Sequence, residues 1–206
     1  PLGGEFLQSS GDKTGERGSA AVVSTYLLEG GRVYNAAVLL ERGSVRALYR
    51  KIHLFDAFGY RESEVFSRGS ELALARLKGF TVGLAVCFDL RFPELFRAMA
   101  LRGADLFVVP SAWYSGPGKD EQWAALTRAR AHENTAFLVA VDQAAPLFAG
   151  HSTVVTPMGH ALVDLGESER SHRVLLDPAE VKEAREKVPV LALLRRELYR
   201  EWYSAP

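Results

Sequence analysis

Three short, nearly continuous apolar runs constrain this chain more than any other feature. They are Phe80–Val86, Asp105–Pro110 (apolar after its first residue) and Ala136–Val141. None alternates polar with apolar residues as a half-exposed strand does. Strands of this kind lie in a sheet covered on at least one face by other elements. The intervening segments supply the cover. After the first run, Pro93 suits the first turn of a helix, Leu95, Phe96, Met99 and Leu101 form an apolar stripe, and Gly103 stops it. Before the third run, Asp120–Asn134 reads as a helix with Trp123, Leu126 and Ala131 facing inward. Strand, helix, strand, helix, strand predicts an α/β fold.

The rest of the chain reads as follows. Ala21–Leu28 and Val33–Leu40 flank a turn at Glu29-Gly30-Gly31 and predict a hairpin. A further strand is expected over Val45–Lys51, then a long aromatic loop over His53–Gly69, then a strand over Leu72–Leu77 paired with Phe80–Val86. Ser152–Thr156, Ala161–Asp164 and Arg173–Leu176 predict three more strands. The Gly- and Ser-rich stretch Pro1–Ser19 reads as a loop or leader. The tail, residues 178–206, reads as helical or irregular, broken at Pro189. A length of 206 residues fits one domain, residues 1–206, with a real core.

Charge and cysteine content narrow the function classes. Lys+Arg and Asp+Glu are both 25, so no polyanionic partner such as nucleic acid is expected. No apolar stretch approaches the roughly 20 residues of a membrane-spanning helix. The first residues do not resemble a signal peptide, and the cytoplasm is the expected compartment. A single cysteine excludes an intrachain disulfide and offers no thiolate metal cage.

That cysteine, Cys87, sits where the first apolar run breaks into Phe88-Asp89-Leu90-Arg91-Phe92-Pro93-Glu94. A thiol at a strand end before a helix start faces a cleft and lies near free backbone N–H groups, as a nucleophile needs. The other reading is a small buried hydrophobe. Lys51 ends an apolar strand; beside Cys87 its charge lowers the thiol pKa and stabilises an oxyanion, and elsewhere it is a solvated strand end. Glu62 stands alone as a loop acid. His53 and His151 are candidate bases or hydrogen-bonded structural histidines. Of Arg128 and Arg130, only one can point inward from a helix.

Five segments resemble one family: Tyr49-Arg50-Lys51-Ile52-His53-Leu54-Phe55, Cys87 to Leu95, Pro110-Ser111-Ala112-Trp113, Arg128-Ala129-Arg130-Ala131 and Gly150-His151-Ser152. In this order and spacing they are similar to the carbon–nitrogen hydrolases of the nitrilase superfamily, from about Ala21 to about Leu176. The resemblance implies a four-layer α-β-β-α sandwich, cofactor-free hydrolysis of a non-peptide C–N bond, and a homodimer or larger homo-oligomer. It implies Cys87 as nucleophile, Lys51 as oxyanion stabiliser, Glu62 as the glutamate that positions the lysine, and the Phe88 N–H as second oxyanion donor. The family's general-base glutamate, on an N-terminal strand end, has no counterpart here. Glu5, the early acid, has the wrong neighbours and stands too close to Lys51. The family's first strand and helix are expected to be missing, as in a truncated chain.

Phe88-Asp89 after the cysteine, in place of Trp-Glu, resembles the amidase branches, which include omega-amidases and deaminated-glutathione amidases. The substrate implied is a small amide that also carries a carboxylate. Arg91, with its planar fork, is the candidate carboxylate partner, or else forms an ion pair with Asp89 or Glu94. Trp113 and Tyr114 are candidate pocket residues, with Trp113 as core the alternative; Ser115–Lys119 is placed at the entrance, and Glu121 either reaches the pocket or only starts a helix. Two other functions stay open: hydrolysis of an N-carbamoyl group by the same machinery, and a non-catalytic binding or scaffold module that keeps the sandwich without the base.

Overall fold

The computed structural model describes residues 4–204. The first sheet is an antiparallel meander of β1 (Ala20–Glu29), β2 (Arg32–Glu41) and β3 (Ser44–Arg50). Its centre, β2, is apolar over Ala36-Ala37-Val38-Leu39-Leu40 because both of its faces are buried. Ala37 and Leu39 belong to the main core, while Ala36, Val38 and Leu40 form a second cluster with Leu27 and Leu7.

Leu7 comes from α1 (Glu5–Glu16), which covers the outer face of this sheet. The expected loop over residues 1–19 is therefore a helix from Glu5 onward, and the outer helix expected to be missing is present; residues 1–3 lie outside the described residues. The glycines that argue for a linker lie on the docking face, where there is room for a methyl group but not for a large side chain. A Cβ on Gly11 or Gly15 would sit 3.6 Å from the backbone of Gly43, in the β2–β3 turn. Thr14 Oγ1 accepts the Gly43 N–H at 3.1 Å and donates to Gly11 O at 2.8 Å.

The second sheet runs in the order β4 (Leu74–Leu77), β5 (Phe80–Leu84), β6 (Leu106–Pro110), β7 (Phe137–Val141), β8 (Thr153–Val155), β9 (Ala161–Asp164). The pairs β5–β6 and β6–β7 are parallel and the others antiparallel. The three apolar runs form the parallel centre. Their crossovers carry α2 (Pro93–Ala100), which buries Leu95, Phe96, Met99 and Ala100, and α3 (Lys119–His132), which buries Trp123, Thr127, Arg130 and Ala131. The inner faces of the two sheets meet, with β1 against β6. The layers are thus helix, sheet, sheet, helix, and the fold is the α/β sandwich expected.

Two tail helices follow, α4 (Pro178–Lys187) and α5 (Arg196–Ser204), separated around Pro189. Arg173–Leu176, expected as a strand, has no pairing partner and stays irregular; Leu175 is 90% exposed. Among the described residues no helix is long and apolar enough to cross a membrane.

Candidate active site

A cleft of about 590 Å³ opens at the seam between the two sheets. Cys87 stands in its wall. The chain leaves β5 through Ala85 and Val86 and turns sharply at Cys87, whose φ is +48°, into a 3-10 turn over Cys87–Arg91. A non-glycine residue held in this region costs about 1–3 kcal/mol and persists where surrounding contacts enforce it. Asp89, fully buried, supplies them. Its Oδ2 accepts Val86 N–H at 2.9 Å and Tyr49 O–H at 2.9 Å; its Oδ1 meets His53 Nδ1 at 2.8 Å and accepts His53 N–H at 3.2 Å. One carboxylate thus ties the Cys87 turn to β3 and the segment that follows it. Burial beside this carboxylate pushes the Tyr49 hydroxyl far above its usual pKa.

That segment begins with Lys51, 2% exposed. Lys51 Nζ donates to Glu62 Oε2 at 2.6 Å. Glu62 is fixed in turn by Phe55 N–H on Oε2 at 2.6 Å and by Asn35 Nδ2 on Oε1 at 2.8 Å. The loop returns to β3 at Gly69, whose N–H donates to Lys51 O at 2.9 Å. A Cβ there would lie 2.1 Å from Arg50 O, so only glycine fits this approach.

The Lys51 charge and the neighbouring Ala112 backbone N–H both lower the pKa of the Cys87 thiol. Burial outweighs them, with smaller contributions from Asp142 and Glu62, and the thiol ends above its ordinary value. The Lys51 charge acts on the thiol in the expected direction, and the hydration that a buried thiolate gives up acts against it. Phe88 follows Cys87 at the opening of the turn, where backbone N–H groups have no partner within the turn.

Arg91 and Trp113 line the same cleft. Arg91 pairs with neither Asp89 nor Glu94. It donates to Gln122 Oε1 at 2.7 Å, leaves Nε buried without a partner, and sits 4.7 Å above the Trp113 ring. Trp113 is both core and lining, 4% exposed, with Nε1–H on Lys119 O. Lys119, from the predicted entrance loop, places Nζ 3.6 Å from the Phe58 ring centre. Phe55, Tyr114 and Phe148 complete an aromatic rim.

Other candidates lie elsewhere. His53 stacks on Phe92 and pairs with Asp89. His151 pairs with Asp164 at 2.9 Å and shares a separate hollow with Glu121. Arg130 is the inward member of its pair, with Nε on Leu90 O at 2.8 Å; Arg128 is exposed. Glu5 is exposed at the start of α1 and takes no part in the cleft lining, unlike its neighbour Phe6. Sequence reasoning missed Asn35 and Asp142, whose contacts carry no local pattern. Among the described residues no group of three or more His, Cys, Asp or Glu is placed to hold a metal ion.

Comparison with known proteins agrees with this geometry. The carbon-nitrogen hydrolase family pattern matches residues 2–186. The chain is 39% identical over 162 residues to the putative protein YbeM of Escherichia coli K12, covering 78% of this chain and 87% of that protein. It is equally similar to the deaminated glutathione amidase of Escherichia coli O157:H7, at 39% over 162 residues, and spans only 62% of that relative's length. The solved structure of the amidase NitN from Nesterenkonia sp. AN1 superposes with a TM-score of 0.81 at 32% identity, covering 96% of this chain and 75% of that one. Sequence pattern, sandwich and cleft lead to one assignment: the chain belongs to the carbon-nitrogen hydrolase family.

Proposed function

We propose that this chain hydrolyses the C–N bond of a small amide that also carries a carboxylate, with Cys87 as nucleophile. One observation carries the reading: a cleft-facing cysteine on a strained turn, within the field of a buried lysine that a glutamate holds in place. Cys87 Sγ attacks the amide carbonyl carbon and gives up its proton. Lys51 Nζ and the Phe88 N–H hold the oxyanion that forms; one such donor is typically worth about 3–4 kcal/mol. The C–N bond breaks as the nitrogen takes a proton, ammonia leaves, and a thioester remains. Water adds to the thioester, the acid departs, and the thiol is restored. Among the described residues that line the cleft, Glu62 is the single carboxylate able to take the proton, and it already accepts from three donors.

Arg91 and Lys119 reach the cleft without a carboxylate partner among the described residues, and this supports an acid-bearing amide over a neutral one. The likeness to the deaminated glutathione amidase supports the same class. A cytoplasmic location and a homodimeric or larger assembly belong to this reading; cell fractionation and sedimentation velocity read them.

The test is ammonia release from a panel of neutral amides, carboxylate-bearing ω-amides and N-carbamoyl amino acids. Turnover of ω-amides that disappears in Cys87→Ala is expected. A preference for N-carbamoyl substrates would move the assignment to a carbamoyl hydrolase. No turnover of any of them would leave the non-catalytic module, which the raised thiol pKa and the fully engaged Glu62 favour.

A further inference from the structure

Lys119 brings an ammonium to the cleft from the first position of α3. It is half-buried, and among the described residues Nζ forms no hydrogen bond and no ion pair. Its neighbours are two aromatic rings: Nζ lies 3.6 Å from the Phe58 ring centre and 5.7 Å from that of Trp113. The side chain is held in this place from both ends. Trp113 Nε1–H donates to Lys119 O at 3.2 Å, and Trp113 N–H is itself held by Asp142 Oδ1 at 2.7 Å. The turn before it, Gly116-Pro117-Gly118, needs φ values of +146° and +69° at its two glycines. From there the side chain reaches Phe58, on the loop that carries Glu62.

Arg91 is the second cation, and the two are not equivalent. Arg91 Cζ lies 4.7 Å from the Trp113 ring centre and 5.8 Å from that of Phe58, so both cations share the same two rings. Part of the Arg91 fork is already committed, with Nη2 on Gln122 Oε1 at 2.7 Å, and its Nε is buried. Lys119 carries three donors on a flexible stem, none of them committed. Like charges over one pair of rings repel each other until an anion joins them. The Lys119 pKa is lowered by burial first and by the Arg91 charge second, in keeping with that crowding.

We propose that Lys119 is the specificity-determining residue of the cleft: its ammonium takes the carboxylate of the substrate, with Arg91 as a fixed second charge. This deepens the amidase reading and rests on it, since it says which residue tells an acid-bearing amide from a neutral one. Phe58 is then the resting partner of the ammonium. A carboxylate is a stronger partner than a ring face, so an acid-bearing amide draws Nζ from Phe58 and a neutral amide does not.

The experiment compares glutaramate with pentanamide, an amide of the same chain length without the carboxylate. Ammonia release gives kcat and KM for both in the full chain, as wild type, Lys119→Met, Lys119→Arg and Lys182→Met. Lys119→Met keeps a stem to pack on Phe58 and Trp113 and drops the charge. KM for glutaramate then rises about tenfold, and the glutaramate-to-pentanamide ratio of kcat/KM falls by the same factor. Lys119→Arg keeps the charge and most of the ratio. Lys182 lies on α4 beside Asp105, at the end of β6 away from the cleft, and its replacement leaves the ratio in place. A Lys119 that only props the loop would change both substrates alike. Calorimetry reads the same contact without turnover: Cys87→Ala binds glutaramate about tenfold more tightly than Cys87→Ala with Lys119→Met. A ratio unmoved by Lys119→Met overturns the proposal and leaves the amidase reading intact, as does a ratio that falls equally in Lys119→Arg. Absence of glutaramate binding overturns it too. Binding that depends on Lys119 without any ammonia release sinks the amidase reading and leaves Lys119 as the reader of the carboxylate.

Discussion

Glu62 and Lys51 show how much one residue depends on another at this site. Lys51 is an ammonium with 3% of its side chain exposed, and Glu62 is its carboxylate partner at 2.6 Å. Removing one member of such a pair leaves a charge in low dielectric, which typically costs about 3–5 kcal/mol; removing both for apolar groups of similar size costs far less. Glu62→Gln keeps one acceptor oxygen, enough for the Phe55 N–H and not also for Asn35 Nδ2, and it strands the Lys51 charge. It should lower stability to urea by about 3 kcal/mol, and Lys51→Met with Glu62→Gln should recover a large part of that loss while abolishing any turnover. Equal losses in the single and double variants would show that the pair is not coupled. Cys87 and Lys51 stand out in the sequence by their places at strand ends; Glu62 stands out only through the resemblance to the family, since its own neighbours read as a plain loop acid. Asn35 and Asp142 are not legible, because each acts through partners 27 or more residues away or through backbone amides, which every residue possesses. The balance of effects on the thiol is hidden from the sequence for a related reason. Spacing shows that a cation is near, but only three-dimensional burial shows what desolvation removes.

At the scale of elements, α1 carries the lesson about reading periodicity. Its stretch holds two glycines, the polar run Gln8-Ser9-Ser10 before Gly11 and Asp12 after it, and few apolar side chains, so an apolar stripe is absent. The helix docks instead through Gly11, Gly15 and Thr14 on the β2–β3 turn, a backbone-to-backbone approach that hydropathy does not register. The buried parallel strands are the opposite case: their apolar runs exist because both faces are covered, and they were legible throughout. Arg173–Leu176 looked like such a run but has no strand beside it to complete a ladder. The docking of α1 yields a prediction. At Gly11 an added Cβ meets Gly43 O at 3.6 Å, an ordinary contact. Gly11→Ala should therefore gain about 0.5–1 kcal/mol from helix propensity, seen as a higher Tm. Gly11→Leu should lose about 1–3 kcal/mol by prying the helix off the turn. Because Phe6 on the same helix lines the cleft, faster hydrogen exchange over residues 5–16 in Gly11→Leu is the local sign to look for. Equal Tm values for both variants would show that this contact does not hold α1.

For the whole molecule, the site exists only while the two sheets stay packed, since Lys51 follows the edge of one sheet and Cys87 follows a strand of the other. Asp89 and the buried tyrosine Tyr49 join these halves, and Asp142 secures the wall beside them. This arrangement gives the fold an unusual response to pH. Asp142 is pushed up to about 6, chiefly by burial, against an ordinary value of 3.8, and Asp105 is raised by the same cause. A carboxyl group with a higher pKa folded than unfolded binds its proton more tightly in the native state. Between the two values the native state holds more protons than the unfolded chain, so stability falls as pH rises from about 4 to about 6. For Asp142 the two-unit difference corresponds to about 3 kcal/mol lost across that window. The same carboxylate is thus ionised at neutral pH at a cost to the fold, which is the pattern expected of a group retained for the cleft. Urea unfolding at pH 4.5 and pH 7 should show wild type less stable at the higher pH by more than Asp142→Asn is, because the variant has no proton to lose there. If the two proteins lose stability in parallel over this range, the Asp142 carboxylate is not the group that titrates, and its burial carries no penalty at neutral pH.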